Sequence, residues 1–210
     1  FTKSGWYNKQ PDGVLYLGDC CLGYNGKKPI GDLILKEGTR IIADNAFENC
    51  IGLTSIKIPN SVETIGYKAF CGCIGITEIT IPNSVNYIDL NAFAKCISLR
   101  TINYNAIDCT AKWGSYVDEW GFKDCNNVTT INIGKDVERT PYCIFLGCEN
   151  VSEVNFNADF CHSMHWAFDT QKLSKVNIGN NVYKIPDNAF SSCKQLKSIN
   201  IPNSVSIIGN

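Results

Sequence analysis

The residues that could carry chemistry are few, and their placement limits what they can do. Both histidines of this 210-residue chain fall in one stretch, Cys161-His162-Ser163-Met164-His165. Cysteine and histidine at these separations could give zinc three soft ligands, but the neighbouring sequence offers no fourth ligand and no second layer to orient them. The cluster of Cys161, His162 and His165 therefore reads as a loop, and no metal or other cofactor is expected. Two histidines in one place also leave little general base. Gly-x-Ser-x-Gly elbows, phosphate loops and His-Glu-x-x-His are missing from the sequence. Asp118 and Glu119 could cleave a glycosidic bond only with a facing carboxylate about 5–9.5 Å away in a cleft. The chain reads as no enzyme.

Cysteine is the other reactive type, and its twelve copies follow a rule. Cys50, Cys73, Cys96, Cys125, Cys148 and Cys193 each stand three residues after a phenylalanine. Twelve cysteines in a secreted chain would ordinarily suggest a disulfide framework. Equivalent side chains on stacked parallel coils point the same way, however, which suits the bridging dihedral poorly. The six are expected as reduced thiols that fill a buried edge as small apolar groups. Cys20 and Cys21, neighbours on a strand, point to opposite faces and are not expected to pair.

The elements that position these residues come from a repeat. Ile58-Pro59-Asn60-Ser61-Val62 recurs 23 residues later from Ile81 and again from Ile201, with degenerate copies from Ile133 and Ile178. The phenylalanines Phe47, Phe70, Phe93, Phe122, Phe145, Phe168 and Phe190 are spaced by 23, 23, 29, 23, 23 and 22 residues, which exposes a six-residue insertion in the fourth unit. Within one unit, Thr54-Ser55-Ile56-Lys57-Ile58 alternates polar and apolar as a half-buried strand does. Pro59 lacks an N–H and ends it, and Asn60-Ser61 is turn chemistry. Val62 and Ile65 suggest a second short strand. Lys68 to Cys73 suits one helical turn with Phe70 and Cys73 on one side. Such a coil cannot bury its apolar face alone, but stacked coils can. At about 4.8 Å per strand, seven coils make a rod of roughly 34 Å with an aromatic spine.

Composition sets further bounds. With 19 basic and 20 acidic residues the net charge is −1, which removes the electrostatic case for a nucleic-acid partner. No apolar run of about 18 residues is present, so no membrane insertion is expected. The outward strand positions form two columns, Ser55-Glu78-Thr101-Thr130-Glu153-Lys175-Ser198 and Lys57-Thr80-Asn103-Asn132-Asn155-Asn177-Asn200. Asn103, Asn132 and Asn155 could hydrogen-bond an extended ligand, or simply keep the face soluble. Trp113, Tyr116 and Trp120 in the insertion could anchor a protein or a sugar face, or pack back over the coil edge.

The unit L-x-x-I-x-I-P-x-S-V-x-x-I-G-x-x-A-F-x-x-C resembles the BspA-like subclass of leucine-rich repeats, and Leu53–Cys73 and Ile76–Cys96 are nearly consensus copies of it. The resemblance covers essentially the whole chain. It implies a strand-rich α/β leucine-rich-repeat solenoid of about seven units over 32–210, with the insertion within 105–122. Residues 1–31 are expected to hold a partial preceding repeat and a β-hairpin running from Trp6 to Asp19. The last unit stops at Ile208-Gly209-Asn210 without its Ala-Phe-x-x-Cys, so the chain is expected to belong to a longer protein. The resemblance further implies an extracellular or cell-surface location and a monomer. Its role would be adhesion to host or microbial glycoproteins or glycans, a purely structural spacer being the alternative.

Overall fold

The computed structural model describes residues 4–111, 121–164, 168, 172–191 and 193–210. A hairpin opens it, β1 (Gly13–Leu17) and β2 (Cys20–Asn25), turned through left-handed Gly18. Each later coil gives a longer strand to one face, where the alternating apolar residues point inward. These are β3 (Gly31–Ile34), β5 (Leu53–Lys57), β7 (Glu78–Ile81), β9 (Thr101–Tyr104), β11 (Thr130–Ile133), β12 (Glu153–Phe156) and β13 (Lys175–Ile178). Two-residue strands form a second face: β4 (Ile41–Ile42), β6 (Thr64–Ile65), β8 (Tyr87–Ile88), β10 (Thr110–Ala111), β14 (Lys184–Ile185) and β15 (Ile207–Ile208). Strand β2 pairs in parallel with β4, so the hairpin is the first rung of the short-strand sheet β1-β2-β4-β6-β8-β10. The result is a stack of about 23-residue turns with parallel sheets.

The third side of each coil is not helical. The amides of Ala46, Glu48 and Cys50 close i→i−3 turns within the coil, while those of Asn45, Phe47 and Asn49 donate to the carbonyls of Tyr67, Ala69 and Cys71 in the next coil at 2.7–2.8 Å. Alternate amides thus look along the rod, which an α-helix, using every amide internally, would forbid. Left-handed residues make the alternation possible: Asn45 (φ 57), Asn49 (φ 56), Asn91 (φ 56) and Lys95 (φ 60). At Gly72 a side chain would also collide with the Asn49 carboxamide of the preceding coil, so that position requires glycine.

This turn side aligns the phenylalanines. Phe47, Phe70, Phe93 and Phe122 stack at 5.5, 5.3 and 5.0 Å between ring centroids, and Phe145, Phe168 and Phe190 continue the column at 5.6 and 5.9 Å. Tyr24 extends it, 6.3 Å from Phe47. The column had one more member than the phenylalanine count suggested.

The register cysteines stack beside the spine and do more than fill space. Cys73, Cys96, Cys125 and Cys193 donate through Sγ to the carbonyls of Phe47, Phe70, Phe93 and Phe168 one coil earlier, at 3.2, 3.4, 3.1 and 3.4 Å. A small, weakly polar S–H suits a buried carbonyl that already accepts one turn amide, such as Phe70 O from Cys73 N. Burial pushes the Cys73 thiol up to about 12. Hydrogen bonding with Cys125, then burial, pushes Cys96 well up.

The long-strand face is interrupted, and proline accounts for where. In well-paired coils the residue after the strand donates to the coil before: Asn105 to Ile81 O, Gly134 to Tyr104 O, Asn157 to Ile133 O and Gly179 to Phe156 O, at 2.9–3.1 Å. Those strands form one sheet, β13-β12-β11-β9-β7. Pro59, Pro82 and Pro202 hold the same position in the other coils and have no N–H to give. Beneath Pro59 the β3–β5 pairing carries a register shift. Beneath Pro202 a single bridge, Asn177 to Asn200, remains. Between β5 and β7, beneath Pro82, there is no ladder at all.

Candidate functional site

Parallel registry puts the outward residues of the long strands in straight columns. Glu78, Thr101, Thr130, Glu153 and Lys175 are direct neighbours, as are Thr80, Asn103, Asn132, Asn155 and Asn177. The asparagines form a carboxamide ladder of one polarity. Asn132 Nδ2 donates to Asn103 Oδ1 at 2.6 Å, Asn155 to Asn132 at 2.7 Å and Asn177 to Asn155 at 2.6 Å. Asn103 Nδ2 ends the run on Glu78 Oε1 at 2.6 Å. Each carboxamide has two N–H groups, and the ladder uses one of them. Asn103, Asn132 and Asn155, three of the residues singled out by type, are therefore brought into one row. Beside them Lys175, 2.7 Å from Glu153 Oε1, holds the Glu153 carboxyl below its usual range.

The ladder makes a testable demand. Asn132→Asp keeps an acceptor for Asn155 but removes the donor to Asn103 and sets oxygen against oxygen. A loss of about 1–2 kcal/mol at pH 7 is expected. Most of it should return near pH 3.5, where the protonated carboxyl can donate again. Urea unfolding of variant and parent at both pH values checks this; equal stability at pH 7 would show that the ladder contributes nothing.

A second surface lies on the short-strand side of the later coils, where Phe160 bridges to Lys184. The Phe160 and Tyr183 rings stack at 5.6 Å with 16° between planes, yet Phe160 is 43 % and Tyr183 45 % exposed. His162 sits edge-on to Phe160 at 5.0 Å, and Lys184 Nζ lies 5.8 Å from the same ring. The Tyr183 amide donating to Asp159 O and the His162 amide donating to Glu138 O, at 2.8 and 2.7 Å, fix the backbone beneath. Single exposed apolar side chains are ordinary; a stacked group of them with polar neighbours marks a contact surface. Sequence reading missed Phe160 and Tyr183 as surface residues. The available signal was that Tyr183 follows a buried valine where the equivalent residues are Glu63, Asn86, Glu138 and Ser206.

The structure separates the residues weighed as metal ligands. Cys161 is buried and donates through Sγ to Glu138 O at 3.5 Å, whereas His162 is exposed against Phe160. Neighbours on an extended strand face opposite ways, so Cys161 and His162 do not converge on one point. Among the described residues no group of three or more His, Cys, Asp or Glu could hold a metal ion. His165, and likewise Trp113, Tyr116, Asp118, Glu119 and Trp120, lie outside the described residues.

A third feature is the interruption between β5 and β7, a cleft of about 310 Å³ lined by Thr54, Ser55, Ile56, Thr77, Glu78 and Thr80.

Among solved structures, the chain is similar to the leucine-rich repeat protein of T. pallidum, with a TM-score of 0.58 and 22% identity over 88% of this chain and 87% of that one. It is also similar to a leucine-rich repeat protein from Eubacterium ventriosum, with a TM-score of 0.58 and 23% identity over 98% of this chain. That alignment spans 49% of the E. ventriosum protein, about half its length. At such identities these likenesses show the fold. No curated protein matches the sequence significantly. The profile of the BspA type leucine rich repeat region matches residues 23–112 and 115–210, in six copies. Since the matched segments take in the aromatic spine, the thiol ladder and the strand-ending prolines, the chain belongs to the BspA-type leucine-rich repeat family.

Proposed function

We propose that this chain is a non-catalytic binding segment of a secreted or cell-surface protein that engages host or microbial glycoproteins or glycans. The observation that supports it is the exposed stack of Phe160 and Tyr183 with His162 and Lys184 at its margin. Aromatic rings with an adjacent cation and imidazole suit a sugar face or an apolar protein side chain, and aromatics commonly dominate binding energy at interfaces. Trp113, Tyr116 and Trp120 would add a second contact, and the row of Asn103, Asn132 and Asn155 a polar track for an extended ligand. The near-neutral charge fits neither nucleic acid nor an anionic membrane. A second reading, a spacer, draws on the asparagine ladder, whose bonds are made within the sheet itself.

An array of glycans and matrix proteins probed with the parent chain, Phe160→Ala/Tyr183→Ala and Trp113→Ala/Trp120→Ala separates these. At least one ligand should bind the parent and lose tenfold or more in affinity in Phe160→Ala/Tyr183→Ala, with the melting temperature nearly unchanged. Equal binding by that variant would remove the aromatic stack from the proposal. An array blank for the parent would favour the spacer.

A further inference from the structure

The main sheet opens at one place, and the opening has chemistry of its own. In a parallel pair, alternate residues turn both N–H and C=O toward the neighbour. In the intact part of the sheet the downstream coil uses the residue after its strand and every second residue before it, as Thr101 and Asn105 donating to Thr77 O and Ile81 O illustrate. The equivalent positions across the gap are Thr54, Ile56 and Ile58 on β5, and Glu78, Thr80 and Pro82 on β7. Among the described residues no backbone hydrogen bond joins the two strands. The coils remain tied on their other two sides, by the β6–β8 pairing and by Phe70 N donating to Ala92 O at 2.7 Å. Only the outward face is parted.

We infer that the cleft between β5 and β7 is a binding site for a single sugar ring, distinct from the aromatic stack. Its walls alternate unused amide donors and carbonyl acceptors, so an occupant must donate and accept at short intervals, as vicinal hydroxyls do. The Thr54, Ser55, Thr77 and Thr80 hydroxyls line it, with the Glu78 carboxylate as an acceptor already oriented by Asn103. Ser55 Oγ, tied to Asp32 Oδ1 at 2.7 Å, is likewise held in place. About 310 Å³ stands at the lower end of ligand pockets, which admits one ring and excludes an inserted β-strand without further opening. Buried or half-buried main-chain groups left unpaired are costly, so a matching ligand gains what the missing ladder forgoes.

Nitrogen-15 correlation spectra of the labelled chain test this with free glucose, galactose, mannose and N-acetylglucosamine as probes. At least one sugar should shift the amides of Ile56, Glu78 and Thr80 in a saturable way at millimolar concentration. Glu78→Gln should weaken that binding about tenfold. Pro82→Asn supplies the N–H that Asn105 supplies one coil on, so it should zip β5 to β7 and abolish the shifts while the melting temperature holds or rises. Should Pro82→Asn fail to fold, Glu78→Gln and Thr80→Val carry the test. The shifts should persist in Phe160→Ala/Tyr183→Ala, so loss of the gap site and loss of the aromatic site are told apart. No response of these amides to 50 mM of any sugar overturns the inference. So do shifts unchanged in folded Pro82→Asn, or saturation by the peptide acetyl-Thr-Val-Thr-Val-amide where the sugars fail.

Discussion

Replacing Phe93 with alanine is expected to destabilise the chain by about 3–5 kcal/mol, the largest effect of any single truncation in it. The ring is 1 % exposed and stacked on both sides, 5.3 Å from Phe70 and 5.0 Å from Phe122. Truncation loses its burial, leaves a cavity that a rigid coil cannot close, and removes two aromatic pairs. Because a solenoid is held by nearest-neighbour contacts, a weak central coil also uncouples the two halves. Phe190, only half-buried and near the last coil, should cost under about 2 kcal/mol when truncated in the same way. Urea unfolding of both variants decides it: similar losses at the two positions would mean that the spine is not a cooperative unit.

The second large effect is expected in alkali. Burial pushes the thiols of Cys21 and Cys161 up to about 11, and those of Cys73 and Cys109 up to about 12. In the unfolded chain a thiol ionises near 8.5–9. Above that range the unfolded state sheds protons that the folded state keeps, so stability falls as pH rises. The stabilisation is complete below about pH 8.5 and is lost progressively as pH climbs toward the folded values. Each tenfold step is worth about 1.4 kcal/mol, so Cys73 alone removes roughly 3 kcal/mol by pH 11. Several such thiols acting together should unfold the chain between about pH 9.5 and 11. Circular dichroism across pH 7–12 in the presence of a reductant checks this. A folded signal retained at pH 11.5 would contradict the buried-thiol account. At pH 8 the register thiols should also resist alkylation until denaturant is added.

Much of the architecture could be read from spacing alone because a solenoid converts sequence period into spatial stacking. Phe47 to Phe190 and Cys50 to Cys193 were placed in columns by their intervals, and the two strands of each coil by Thr54–Ile58 and Val62–Ile65. Tyr24 escaped because the search followed phenylalanine, although it lies one period before Phe47. The turn from Lys68 to Cys73 was read as helical because local spacing fits a helix. Bonds to the neighbouring coil, such as Phe70 N to Ala92 O, decide otherwise, and no local pattern reveals them. Pro59 and Pro82 were recognised as strand stops. Their effect on the adjacent coil depends on which coil faces the missing N–H, which only the assembled stack supplies. Phe160 and Tyr183 were missed for a similar reason: they are 23 residues apart in sequence and meet only through stacking.

The division of amides on the turn side, alternately spent within a coil and on the next one, has a mechanical corollary. Each coil grips its neighbour along three edges and touches nothing farther away, so a load applied along the polypeptide would strip turns from a free end one after another. Every released turn of about 23 residues would pay out roughly 75–80 Å of slack chain. A surface protein built this way behaves as a rope on a spool, lengthening in even steps under shear while the turns still wound keep their shape.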